Sequence, residues 1–216
     1  MLTGKEYYDN YSNTPIFKAL EELNNYYEEN NLNPINLNVI GGFALIVRNI
    51  REGNEDSFTD IDYVGLNIFD DKTKNIIDDI GLSYKLGKGW INNDVMLSGT
   101  DIKDIEKITG KLHFEEAFNL GKIKVSVLDE KDLLRMKVIS IDTSLMALDY
   151  GGDFTRLKDL PDIKLMMDKR GLDILGLEME TYQTNVSDKT YLVIEEYLKT
   201  EDLGKILNMI EEKNYE

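Results

Sequence analysis

Between residues 35 and 50 the hydrophobic period changes from two to roughly 3.6 across one pair of glycines. No other feature constrains the fold as much. Ile35, Leu37 and Val39 alternate with Asn36 and Asn38, the pattern of a strand with one buried face; Gly41-Gly42 follows, and Phe43 to Ile50 reads as a helix. An acidic loop, Arg51 to Ser57, then leads to a second strand predicted over Phe58 to Ile68, which contains Asp60-Ile61-Asp62. The order is strand, glycine turn, helix, loop, acid-bearing strand.

The rest of the chain extends this core on both sides. Phe17, Leu20, Leu23 and Tyr27 fall at helical spacing after Ser12-Asn13-Thr14 and Pro15, so a helix is expected within residues 5 to 31. Asp71 to Ile80 reads as a helix, and Gly81 to Gly99, rich in glycine and asparagine around Trp90, as a loop. Extended segments are expected near Lys111 to Phe118 and Lys122 to Leu128. From Asp129 the pattern becomes helical: Glu130 to Ile141, Leu157 to Lys169, Leu172 to Tyr182, Asp188 to Lys199 and Glu201 to Lys213. The expected class is α+β, a mixed sheet flanked by helices with a C-terminal helical domain. The divisions are a helix within 1–32 packing on the core, an α/β core at 33–128 and a helical domain at 129–216.

Composition removes several chemistries. There is no cysteine, which excludes disulfides, thiolate metal sites and a cysteine nucleophile, and the single histidine, His113, excludes multi-histidine zinc sites. Any metal must be held by oxygen. Forty-one acidic against 25 basic residues give a net charge of -16, which repels nucleic acid and anionic membranes at long range. That charge reads as a solvated acidic surface or as a face for a basic partner protein. The N-terminus, MLTGKEYYDN, has no basic stretch followed by an apolar one, and a cytoplasmic location with no membrane partner is expected.

Alternate residues of a strand share a face, so Asp60 and Asp62 project together while Ile61 and Tyr63 turn the other way. Two carboxylates that close repel each other unless a cation stands between them, and oxygen ligands of this kind suit Mg²⁺ or Mn²⁺. Gly41 and Gly42 let the backbone approach a triphosphate, with free N–H groups at the start of the following helix. Alone, an Asp-x-Asp or a Gly-Gly is commonplace; their order and spacing give them weight.

At these residues the chain resembles the nucleotidyltransferase superfamily related to DNA polymerase beta, and more narrowly the bacterial nucleotidyltransferases of toxin–antitoxin and abortive-infection systems. The matching segments are Gly41-Gly42-Phe43-Ala44-Leu45, Asp60-Ile61-Asp62, Trp90-Ile91-Asn92, Asp132-Leu133-Leu134-Arg135-Met136-Lys137 and Lys158-Asp159-Leu160-Pro161-Asp162. The resemblance implies a nucleotidyltransferase-like core, a metal held by Asp60 and Asp62, and transfer of a nucleoside monophosphate from an NTP to a hydroxyl of a protein, tRNA or small molecule. It implies nucleotide contacts from Gly41, Gly42 and Lys137, with Asp159 as an acidic partner, and in such systems an antitoxin protein. Arg48 or Arg51 adds charge to the phosphates in this reading. Two departures stand out: Phe58 replaces a frequent threonine, and Lys124-Val125-Ser126-Val127 offers no third carboxylate, leaving Asp129 or Glu116 for that place. A catalytically silent binder is the alternative. Lys137 also reads as a solvated helix lysine, Asp159 and Asp162 as helix N-terminal carboxylates, Trp90 as a core anchor and His113 as a structural histidine.

Overall fold

The period switch at Gly41-Gly42 is realised as a strand running directly into a helix. The protein is represented by a computed structural model that describes residues 11–52, 60–65, 69–93, 106, 111–152, 154–174 and 186–213. In chain order these form α1 (Pro15–Glu29), β1 (Ile35–Val39), α2 (Gly41–Val47), β2 (Ile61–Val64), α3 (Asp71–Ser83), β3 (Ile91–Asn92), β4 (Phe114–Asn119) and β5 (Ile123–Leu128). Four helices follow: α4 (Glu130–Leu148), α5 (Asp159–Arg170), α6 (Asp188–Thr200) and α7 (Leu203–Lys213). The class is α+β, with a five-stranded mixed sheet and helices around it. The chain divides into two compact units, Met1–Ile105 with Leu112–Asp129, and Glu106–Lys111 with Glu130–Glu216.

The strands of the first unit lie in the order β3-β2-β1-β5-β4. β1 runs antiparallel to β2 (Val39 opposite Tyr63) and parallel to β5 (Val39 opposite Val127); β2 and β3 are parallel, β4 and β5 antiparallel. This register sorts side chains by face, because residues directly opposite each other point the same way. Leu37, Val39, Ile61, Tyr63, Val125 and Val127 make one face and are all buried. Asn36, Asn38, Asp62, Lys124 and Ser126 make the other, linked by hydrogen bonds from Ser126 Oγ to Asn36 Oδ1 (3.1 Å) and from Asn36 Nδ2 to Asn38 Oδ1 (3.0 Å). The sheet is thus apolar on one side, while the side that carries Asp62 is polar along β1 and β5 but also holds buried Val64 and Leu128.

Helix α1 begins with Pro15 in its first turn, where the missing N–H costs nothing, and buries Ile16, Phe17, Leu20, Leu23 and Tyr27. The Phe17 ring lies 4.9 Å from that of Phe118 on β4, and the Asn24 side-chain oxygen Oδ1 accepts from Lys122 N (2.8 Å) and Ile123 N (3.2 Å), which ties α1 to the start of β5. Burial, assisted by the Asp70 charge, pushes the Tyr27 phenol up to about 12, so it stays neutral.

The segment expected to be loop from Gly81 departs from that expectation. Helix α3 continues through Gly81 to Ser83, and Ile91–Asn92 forms a short strand. The reason is Trp90, which is buried and donates its indole N–H to the Ile77 carbonyl at 2.7 Å. A Cβ on Gly81 would lie 2.3 Å from Trp90 Cδ1, so the glycine that reads as a breaker is the socket for the ring.

In the second unit α4 is longer than expected, reaching Leu148. Its buried Asp142 accepts from Ser187 N (2.9 Å), Ser187 Oγ (2.7 Å) and Thr190 Oγ1 (2.7 Å), which holds the first turn of α6 against it. Arg170, at the end of α5, pairs with Glu130 at 2.9 Å. Of the helix expected over Leu172 to Tyr182, residues 172–174 are not helical and the remainder lies outside the described residues. Among the described residues no helix is long and apolar enough to cross a membrane.

Candidate functional site

The backbone around the glycine bend is dictated by strand pairing. The Ile40 N–H donates to the Asp62 carbonyl at 2.9 Å, extending the antiparallel ladder one residue beyond β1 and setting Asp62 beside the bend. Gly41 has φ +70°, a left-handed conformation that disfavours side chains, and a Cβ there would lie 2.6 Å from Asp62 Oδ2. The Asp62 carboxylate therefore fills the space that any other residue at 41 would occupy. Gly42 is approached from another direction: its Cβ would stand 3.2 Å from Arg51 Nη1.

Asp60 directly precedes β2 and is exposed, Ile61 is buried, Asp62 is half-buried and Tyr63 is buried. Within β2 that alternation is the one predicted, and it sets Asp62 on the face opposite Ile61 and Tyr63, with Asp60 just outside the strand. On the far side of β2, Asn92 of β3 stands in register with Asp62 and so shares its face, with its own amide donating to the Gly89 carbonyl at 3.3 Å. The Trp90-Ile91-Asn92 segment thus divides its work: Trp90 anchors α3, and Asn92 neighbours the acid.

The other expected residues lie elsewhere. Arg48 is buried at the end of α2, where its guanidinium donates to the Leu128 carbonyl (2.5 Å) and the Val127 carbonyl (3.3 Å) and pairs with Glu115 (3.0 Å). It clamps α2 to β5 and β4. Lys137 and Asp159 belong to the second unit, where Lys137 Nζ is 2.5 Å from Asp159 Oδ1 and 2.9 Å from Asp162 Oδ2. Both carboxylates are buried and Lys137 is nearly so, at 12% exposed; Asp159 Oδ2 has no hydrogen-bond partner, Arg156 Nη1 being 3.9 Å away. Asp159 and Asp162 also stand in the first turn of α5, where acids offset the helix dipole. Sequence reasoning named Lys137 and Asp159 as a pair but not Asp162 as the second carboxylate on the same ammonium; the i, i+3 spacing at the start of a helix was the available signal.

No group of three or more His, Asp or Glu residues among those described could hold a metal. Asp60 and Asp62 offer a two-carboxylate donor set beside a bend that a side chain would block, and this fits a hard divalent ion completed by water and substrate phosphate. No family model, curated protein or solved structure matches the chain.

Proposed function

We propose that this chain is a metal-dependent nucleotidyltransferase that moves a nucleoside monophosphate from an NTP to a hydroxyl acceptor. The observation that carries the reading is the seating of the Asp62 carboxylate in the left-handed bend at Gly41. Asp60 and Asp62 would hold Mg²⁺ or Mn²⁺, which supplies charge stabilisation to the phosphoryl group in transfer. The chain's part is to position: Gly41 and Gly42 leave room for the triphosphate, and the polar face of the sheet receives the reacting end of the substrates. In the transfer the acceptor oxygen forms a bond to the α-phosphorus, the bond from that phosphorus to the bridging oxygen breaks, pyrophosphate leaves, and the acceptor proton passes to solvent.

A net charge of -16 favours a protein or small-molecule acceptor over a broad RNA surface. Membership of a toxin–antitoxin or phage-defence system, with tRNA as a further acceptor and an antitoxin as partner, rests on the resemblance, as do nucleotide contacts from Lys137 and Asp159. A second reading, a catalytically silent nucleotide binder, is favoured by one observation. On β5 the polar face carries Lys124 and Ser126, and Glu116 opposite is already paired with Lys124 at 2.6 Å.

The test is incubation with labelled NTPs and Mg²⁺ or Mn²⁺, with the chain itself, cell extract, tRNA and aminoglycosides as acceptors. Metal-dependent labelling that disappears in Asp60→Ala and Asp62→Ala supports the enzyme. Nucleotide binding without labelling supports the silent binder, and labelling that survives both substitutions sinks the site.

A further inference from the structure

On the face of the sheet that carries Asp62, a row of side-chain hydrogen bonds runs in one direction. Ser126 Oγ, buried on β5, donates to Asn36 Oδ1 at 3.1 Å, and Asn36 Nδ2 donates to Asn38 Oδ1 at 3.0 Å. The row ends at the Asn38 amide nitrogen, which has no partner among the described residues. Asn36 is exposed and Asn38 half-buried, so the row climbs from β5 to solvent. Asn38 stands opposite Val64 across the antiparallel pair, which makes Asp62 its diagonal neighbour on the same face.

We infer that Asn38 positions the acceptor, its amide N–H donating to a carbonyl or hydroxyl oxygen beside the reacting hydroxyl, and that this acceptor is free of phosphate, as a polypeptide or an amino sugar is. The inference rests on the function proposed above, since it takes Asp60 and Asp62 as the reacting end of the site. An amide whose oxygen already accepts has two N–H donors to offer, and a chain of such bonds polarises its last donor. Ser126 and Asn36 therefore act through Asn38. The row itself carries no charge. Lys124, the one basic residue on this face of the described strands, is held by Glu116 at 2.6 Å, so Asp62 leaves the face negative. Nucleic acid is gripped at its phosphates by lysine and arginine, and this surface offers no such group beyond the paired Lys124.

The experiment measures labelling by the full chain, with Mg²⁺ and whichever NTP the wild type uses, at varied concentrations of three acceptors: a peptide library bearing serine and tyrosine, an aminoglycoside and tRNA. The peptides or the aminoglycoside should be labelled, and which of the two identifies the source. Asn38→Ala should raise the half-saturating acceptor concentration about fivefold to tenfold, with the half-saturating NTP concentration and the melting temperature unchanged. Asn38→Asp, which keeps the shape but only accepts, should lose as much or more, and Asn38→Ser, which keeps a donor, should recover part. Ser126→Ala should give a smaller loss of the same kind. Labelling of tRNA alone, equal changes for NTP and acceptor, or no change in either overturns the inference. Those failures leave the proposed function standing as long as Asp60→Ala and Asp62→Ala abolish labelling. Labelling that survives both acid substitutions, or none by the wild type, sinks the two together.

Discussion

Two groups of acids in this chain illustrate opposite solutions to the same electrostatic difficulty. Asp159 and Asp162 are buried and share the ammonium of Lys137, so the cation that permits their burial is part of the chain. Asp60 and Asp62 stand at an exposed and a half-buried position beside an open glycine bend. A permanent cation makes a group of acids structural. The difference between the two groups turns on burial, since water screens the second group and not the first.

That contrast can be broken at four points. The largest expected effect is on activity: Asp60→Ala or Asp62→Ala should lower labelling by on the order of a thousandfold while leaving the urea midpoint nearly unchanged. A large fall in stability instead would make this pair structural as well. Next, Lys137→Ala should cost roughly 3 kcal/mol of stability in urea unfolding, because two buried carboxylates lose their counter-ion. Lys137→Met together with Asp159→Asn and Asp162→Asn should recover much of the loss; failure to recover would mean that the charges themselves are needed. Third, Gly41→Ala should cost about 1–2 kcal/mol through its left-handed backbone, with a loss of labelling larger than that stability change because Asp62 must move.

The smallest effect concerns Asp70, an exposed acid outside both groups. It caps α3 by accepting from Thr73 N at 2.7 Å, and hydrogen bonds from the Thr73 hydroxyl and then its backbone N–H hold its carboxyl below the usual range. A depressed folded-state value means that its contribution is complete above the ordinary carboxylate range and is lost as the pH falls through that range toward the folded value. The gap in melting temperature between wild type and Asp70→Ala should therefore be present at neutral pH and shrink as the pH falls through the carboxylate range toward the folded value. A gap independent of pH would assign the cap to something other than the charged carboxylate.

Much of the framework was legible because it depends on local periodicity. The alternation of Ile35 to Val39, the proline start of α1 and the helical spacing after Asp129 each concern neighbours in sequence, and each corresponds to an element. Gly81 was misread because its partner, Trp90, lies nine positions away and converts a helix breaker into a packing site.

By itself the sequence determined most of the strand and helix segments, and that any metal must be bound through oxygen. The tertiary structure alone decided that Asp62 abuts Gly41, that Arg48 turns inward to β5 while Arg51 returns to Gly42, and that Asp162 joins Asp159 on Lys137. Strand pairing and helix docking set these outcomes. They bring together residues separated by a few to many tens of positions, and no period in the chain encodes which of those residues will meet.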